Sequence, residues 1–280
     1  MMFCGKLSFR FHLLIISFAL VLQVSAQTSC VPDANGKYLK SYFNAGVYML
    51  TQPAQYKTSD WIAVAGVAGS AVLLYTQDQQ VFEFFDRQLP EGAAKNYSQF
   101  SDLGGNGLLS LPLLGGMYWA GASRSDCRMK EASLAGLQAF VLSAGAAWLV
   151  KSLAGRPRPN AGFESDDWHG PFSGHDAFPS GHTTRAFAVA TVLAGYYKDK
   201  MWVGITAYGL AAFTASGRLL SGEHWPSDVF VGMALGYVIG RGVLKFNQKQ
   251  KQIAQSSATA TSMTISPLIG PQQLGLIIQF

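Results

Sequence analysis

Six apolar stretches rich in Ala, Leu, Val and Gly recur along the chain, at 61–75, 107–122, 132–150, 186–197, 201–216 and 229–244. Most exceed strand length, and their apolar residues do not alternate, so the pattern predicts helices. A weaker piece, 81–89, reads as an amphipathic helix, and Asp60 and Ser133 supply N-cap-region signals. The expected fold is all-α: a bundle of about six core helices with a short β-like C-terminal tail. Only 13% of residues are charged, against roughly 25% in soluble domains, which points to a membrane or to a very apolar helical core. The 30 glycines fall mostly inside the apolar stretches, where small residues let helices approach closely.

A membrane span takes about 20 apolar residues. Most of these stretches are shorter, and Gln138, Ser143 and Arg241 interrupt them. If every segment between 61 and 150 crossed, an exported N-terminus would leave Lys151 in the cytoplasm. The expectation is that one early segment does not cross, or that the bundle is a globule outside the cytoplasm. The second is slightly preferred, with membrane association left open.

Residues 1–26 read as a secretory signal: Lys6 and Arg10, an apolar run at 13–22, then Val24-Ser25-Ala26. An uncleaved anchor helix is the alternative. Residues 27–60 form an N-terminal extension, 61–246 the helical domain, and 247–280 a linker and β-like tail in which Leu274, Leu276, Ile278 and Phe280 alternate. Without the signal, 19 Lys and Arg face 16 Asp and Glu, a balance too mild and scattered for a nucleic-acid partner. Cys4 lies in the signal, and the sequence leaves open whether Cys30 and Cys127 pair. No Cys/His spacing resembles a metal site, so no cofactor is expected.

Three short segments, each at a helix end, hold the unusual residues. In the first, Lys151 ends an apolar helix, and Arg156-Pro157-Arg158-Pro159 follows. Three cations within nine residues suit an anion, or equally a basic cluster complementing a helix dipole. The second, Pro179-Ser180-Gly181-His182, opens a helix whose free N–H groups favour a phosphate. In the third, Arg218 precedes His224-Trp225-Pro226-Ser227-Asp228, and the four-residue spacing lets Asp228 reach back to the His224 imidazole.

The order and spacing of the three segments resembles the signature of the type 2 phosphatidic acid phosphatase and vanadium haloperoxidase superfamily. The resemblance extends over most of 61–244, with Asp78 and Gly104-Gly105-Asn106-Gly107 inside it. It implies that Lys151, Arg158 and Arg218 bind phosphate oxygens, joined by Ser180 and the Gly181 N–H. His224 would attack phosphorus, Asp228 would orient it, and His182 would protonate the leaving oxygen. Where the family has Ser before the third-segment Arg, this chain has Gly217, with Ser216 one place earlier. Arg156 stays a neighbour of the site, because only Arg158 has the six-residue spacing from Lys151. Arg185, on the face of His182, either extends the cationic pocket or forms an ordinary ion pair. The 160–177 loop has the length of a functional lid.

The activity implied is metal-independent hydrolysis of a phosphorylated lipid, an isoprenyl pyrophosphate or a small phosphoester, through a phosphohistidine. The alternatives are a vanadate-dependent haloperoxidase and a non-catalytic anion-binding membrane protein. The expected location is periplasmic or membrane-associated, with the site on the non-cytoplasmic side.

Overall fold

The computed structural model describes residues 35–88, 91–261, 264–270 and 273–279; the expectations for the signal, for Cys30 and for Phe280 lie outside these. Among the described residues are nine α-helices: α1 Gly36–Thr51, α2 Thr58–Tyr75, α3 Asp78–Gln88, α4 Glu91–Gly105, α5 Ser110–Ser123, α6 Cys127–Ala154, α7 Gly181–Tyr196, α8 Met201–Leu220 and α9 Pro226–Thr261. Strands β1 (Thr264–Gly270) and β2 (Gln273–Gln279) pair antiparallel, with Thr264 opposite Gln279. The fold is all-α with the expected β-like tail, and it has more helices than the apolar pattern predicts.

The ends of these helices have local causes. Asn35 starts α1 by accepting hydrogen bonds from the Lys37 and Tyr38 N–H groups. Tyr38 then anchors the helix, its hydroxyl donating to the Leu134 carbonyl at 2.6 Å. One buried tyrosine and one buried alanine hold this helix down, too little apolar residue to register as a periodic stripe. At α2 the Lys57 N–H donates to Asp60 at 2.9 Å, closing the first turn. The long α6 starts at Asp126, which accepts from the Met129 N–H, and stops at Gly155, where φ is 61°. The composition change at 247 does not end α9, which runs on to Thr261.

Helix α7 lies at the centre, packed against α6, α8 and α9. Its Ala188 and Val192 meet Ala135 and Ala139 of α6 and Val243 and Leu244 of α9. Gly236 and Gly240 bring the α9 backbone onto α7. A Cβ on Gly236 would lie 2.9 Å from the Phe187 Cβ, and one on Gly240 would lie 2.7 Å from the Ala188 carbonyl oxygen. The core therefore gains from close backbone contact rather than from large side chains.

Among the described residues three helices are long and apolar enough to cross a membrane: Thr58–Tyr75, Cys127–Ala154 and Pro226–Ser257, of 18, 28 and 32 residues. The stretches at 132–150 and 229–244 are inner parts of longer helices, which is why they read as too short. Trp61, Ile62, Val72 and Leu73 of α2 and Trp148, Leu149 and Leu153 of α6 are exposed. Apolar faces of this extent are costly in water, and they support membrane association.

Candidate active site

The connections between α6, α7, α8 and α9 bring two helix C-termini and two N-termini to one end of the bundle. Lys151 is in the last turn of α6 and Arg218 in the last turn of α8. Gly181 opens α7 and Asp228 lies in the first turn of α9. These termini touch: the Ser180 N–H donates to the Asp228 carbonyl at 3.0 Å and the His224 N–H to the Arg218 carbonyl at 3.2 Å. A Cβ on Gly181 would lie 3.4 Å from Lys151 Cε. Cations from the ends of α6 and α8 thus border the unsatisfied N–H groups opening α7, an arrangement that attracts an anion.

Each of the three cations meets a carboxylate. Lys151 Nζ donates to the Asp176 carbonyl and lies 3.5 Å from Asp176 Oδ2. Arg158 grips Asp176 with Nε and Nη2, both at 2.9 Å, and donates to Glu223 through Nη1. Glu223 is also 3.0 Å from Arg218 Nη2, and Arg218 Nη1 donates to Asp102. Burial alone would raise the Asp176 carboxyl, but Arg158 and Lys151 outweigh it and hold it below the usual carboxylate range. Asp176, Glu223 and Asp102 were not singled out from the sequence as site residues. The signal for Asp102 was the adjoining Gly104-Gly105 pair. A Cβ on Gly105 would lie 2.7 Å from the His182 Cα, so glycine there lets α4 reach the first turn of α7.

His224 is 2% exposed. Burial, then the charges of Lys151, Arg218 and Arg158, push its pKa well below the ordinary value, so the ring is neutral with a free lone pair. Its Nδ1 lies 3.8 Å from Asp228 Oδ2, beyond hydrogen-bond length. His182 is lowered to about 3 by burial and by the charges of Arg218 and Arg185.

Asp228 is held by Arg156, the arginine that spacing left aside. Arg156 Nη1 lies 2.7 Å from Asp228 Oδ1 and 2.9 Å from Ser227 Oγ, and Nη2 lies 2.8 Å from Asp78 Oδ2. The guanidinium is fully buried and sits 5.0 to 5.3 Å from the ring centres of Tyr75, Trp168 and Trp225. The second Asp228 oxygen accepts the Trp225 N–H at 2.9 Å. Asp78, quoted above only as part of a resemblance, is wholly buried and also accepts the Ser227 N–H at 2.8 Å.

Lys151, Arg158, Ser180, Gly181, His182, Arg218, His224 and Asp228 therefore gather at one end of the bundle. Ser180 occupies the N-cap position of α7, but its hydroxyl bonds the Thr183 hydroxyl at 2.9 Å rather than a first-turn N–H. The 160–177 loop is tied to the site through Asp176, and through the Ser165 carbonyl, which accepts from Arg156. His169 and His175 stack on each other, ring centres 4.4 Å apart. Among the described residues no group of three or more His, Cys, Asp or Glu is placed to hold a metal ion.

Comparison with known proteins gives one family. The model of the PAP2 superfamily matches residues 133–252. A lipid A 1-phosphatase of Porphyromonas gingivalis is 39% identical over 66 residues, 23% of this chain and 15% of that one. A decaprenylphosphoryl-5-phosphoribose phosphatase of Mycobacterium tuberculosis is 35% identical over 120 residues, 43% of this chain and 63% of that one. The crystal structure of Aquifex aeolicus LpxE aligns over 60% of this chain and 94% of its own, with 27% identity and a TM-score of 0.44. The chain thus spans less than two thirds of the length of the Porphyromonas gingivalis and Mycobacterium tuberculosis relatives.

Proposed function

From the match of residues 133–252 to the PAP2 superfamily, we propose that the protein is a phosphatase acting on a phosphorylated lipid through a phosphohistidine on His224. One observation carries this reading: a buried, neutral imidazole faces three cations at the open ends of four helices. In the first step a His224 nitrogen attacks phosphorus and the bond to the leaving oxygen breaks, with His182, protonated when the phosphate dianion binds, supplying that oxygen's proton. Lys151, Arg158, Arg218 and the Gly181 N–H balance charge on the three equatorial oxygens. In the second step water attacks the phosphohistidine, giving its proton to His182, and His224 is released neutral. Asp228, fixed by Arg156, offsets the positive charge that His224 gains on attack.

The preference for a lipid rests on the exposed apolar faces of α2 and α6 and on what the relatives are named for: lipid A and a decaprenyl phosphate compound. The signal-like start puts the site on the non-cytoplasmic side, the chain being exported to the periplasm or its membrane. The test is phosphate release from lipid monophosphates, isoprenyl diphosphates and soluble monoesters, with and without chelator, alongside rapid-quench trapping of acid-labile phosphate on His224. Turnover of a lipid phosphate that survives chelation and is abolished in His224→Ala is expected. Full activity in that variant, or peroxide-driven bromide oxidation with added vanadate and no phosphate release, would overturn it. Single cysteines in the 160–177 loop, labelled by an impermeant reagent before lysis, test the side of the membrane.

A further inference from the structure

Each cation discussed so far has a carboxylate within ion-pair distance: Lys151 and Arg158 with Asp176, Arg218 with Asp102 and Glu223, and Arg156 with Asp78 and Asp228. Arg185 is different. It lies on α7 three residues after His182, one turn farther into the bundle on the same face. Its Nε is buried without a hydrogen-bond partner, and its guanidinium lies 5.6 Å from the centre of the Phe140 ring. Among the described residues no carboxylate pairs with it. The positive charge of Arg218 acts on Arg185, and both act on His182. A partly buried guanidinium among like charges, with an unmatched donor, calls for an anion that the chain itself does not provide.

The side on which that anion would lie is set by the reaction. In the proposed reaction the three paired cations surround the phosphoryl that is transferred, and His182 stands at the leaving oxygen. Arg185 follows His182 by about one helical turn, so it neighbours the group that would protonate the leaving oxygen. We propose that Arg185 binds an anionic group on the leaving side of the scissile bond, the second phosphoryl of a diphosphate ester, and so selects diphosphates over monophosphates. The proposal rests on the phosphatase reading above. His224 attacks the terminal phosphorus, the bond from that phosphorus to the bridging oxygen breaks, and its electron pair stays on that oxygen. The departing group is a monophosphate ester, whose charge Arg185 offsets. Such a leaving group needs a proton less than an alkoxide does, so His182 matters less for a diphosphate.

The test uses the full chain in detergent with a matched pair, farnesyl diphosphate and farnesyl monophosphate, reading the ratio of kcat/KM between them. Arg185→Gln should lower the ratio at least tenfold, Arg185→Lys should restore part of it, and His182→Asn should raise it. In the wild type, methylenediphosphonate should compete at least tenfold more tightly than methylphosphonate, a readout that holds even if Arg185→Gln does not fold. A ratio unchanged in Arg185→Gln while both activities fall together would make Arg185 a fourth ligand of the transferred phosphoryl, and would overturn the proposal. Equal competition by the two phosphonates would do the same. Wild-type protein that hydrolyses neither ester while phosphonates still bind would sink the phosphatase reading itself.

Discussion

Arg156 Nη1 and Asp228 Oδ1 are 2.7 Å apart, and both side chains are fully buried. The pair ties the loop after α6 to the first turn of α9, and Asp78 adds α3 through the same guanidinium. Removing the cation leaves two carboxylates buried without it, a loss of about 3–5 kcal/mol in comparable pairs. Arg156→Met should therefore lower Tm sharply. Arg156→Lys keeps the charge but not the two-sided fork. It should fold, and kcat should fall at least tenfold with KM nearly constant, because Asp228 is no longer held beside His224. Activity and KM both like the wild type in Arg156→Lys would reduce the contact to a structural role. A double-mutant cycle with Asp228→Asn should show strong non-additivity.

Asp176 occupies cations that the proposed reaction uses. It holds Lys151 and Arg158, so a phosphate bonding those cations has to compete with it. Asp176→Asn should tighten competitive inhibition by inorganic phosphate about fivefold, as expected for a part-exposed pair worth roughly 1 kcal/mol. Weaker inhibition in this variant would mean that the carboxylate positions the cations rather than occupying them.

The two kinds of information differ in how legible they were. Lys151, Arg158, His182, Arg218 and His224 were legible as candidates because the order and spacing of three short segments resembles a known signature. Their carboxylate partners were not: Asp102, Asp176 and Glu223 lie on other segments, and nothing local distinguishes them from solvated acids. Arg156 was passed over for a related reason. Its neighbours Asp78, Trp168 and Trp225 come from three parts of the chain, so its importance is created by tertiary contact. The apolar pattern gave the inner helices but shortened α6 and α9, whose ends carry the polar residues that build the site and, at α9, the polar extension past 247.

Anion binding should be coupled to proton uptake. In the empty site His182 is lowered to about 3, so it is neutral at pH 6, and a bound dianion raises its pKa by supplying negative charge. Between those two pKa values binding takes up a proton, so affinity rises as pH falls. Sulfate is the suitable probe, because its own charge does not change in this range. Sulfate affinity followed by tryptophan fluorescence from pH 8 to pH 5.5 should increase steadily, and His182→Asn should flatten the slope. A slope as steep in His182→Asn would assign the proton to His224 instead.

Gly217 stands where the family that the sequence resembles has serine, and packing accounts for it. A Cβ at this position would collide with the Cβ and hydroxyl of Ser101, which is fully buried. Ser216 does not take over the missing hydroxyl, since its own bonds Tyr97 at 2.9 Å and the Phe213 carbonyl at 2.9 Å. The close approach of α4 and α8 thus depends on one glycine facing one serine, and α4 carries Asp102 to Arg218 across that contact. Gly217→Ser, which restores the family residue, should destabilise by about 1–3 kcal/mol through overpacking. It should also weaken phosphate binding as α4 moves out. Adding Ser101→Gly makes room for the new side chain and should recover most of the lost Tm, while Ser101→Gly alone should not raise stability. A Gly217→Ser variant as stable as the wild type would mean that Ser101 yields freely, and that the glycine has some cause other than this contact.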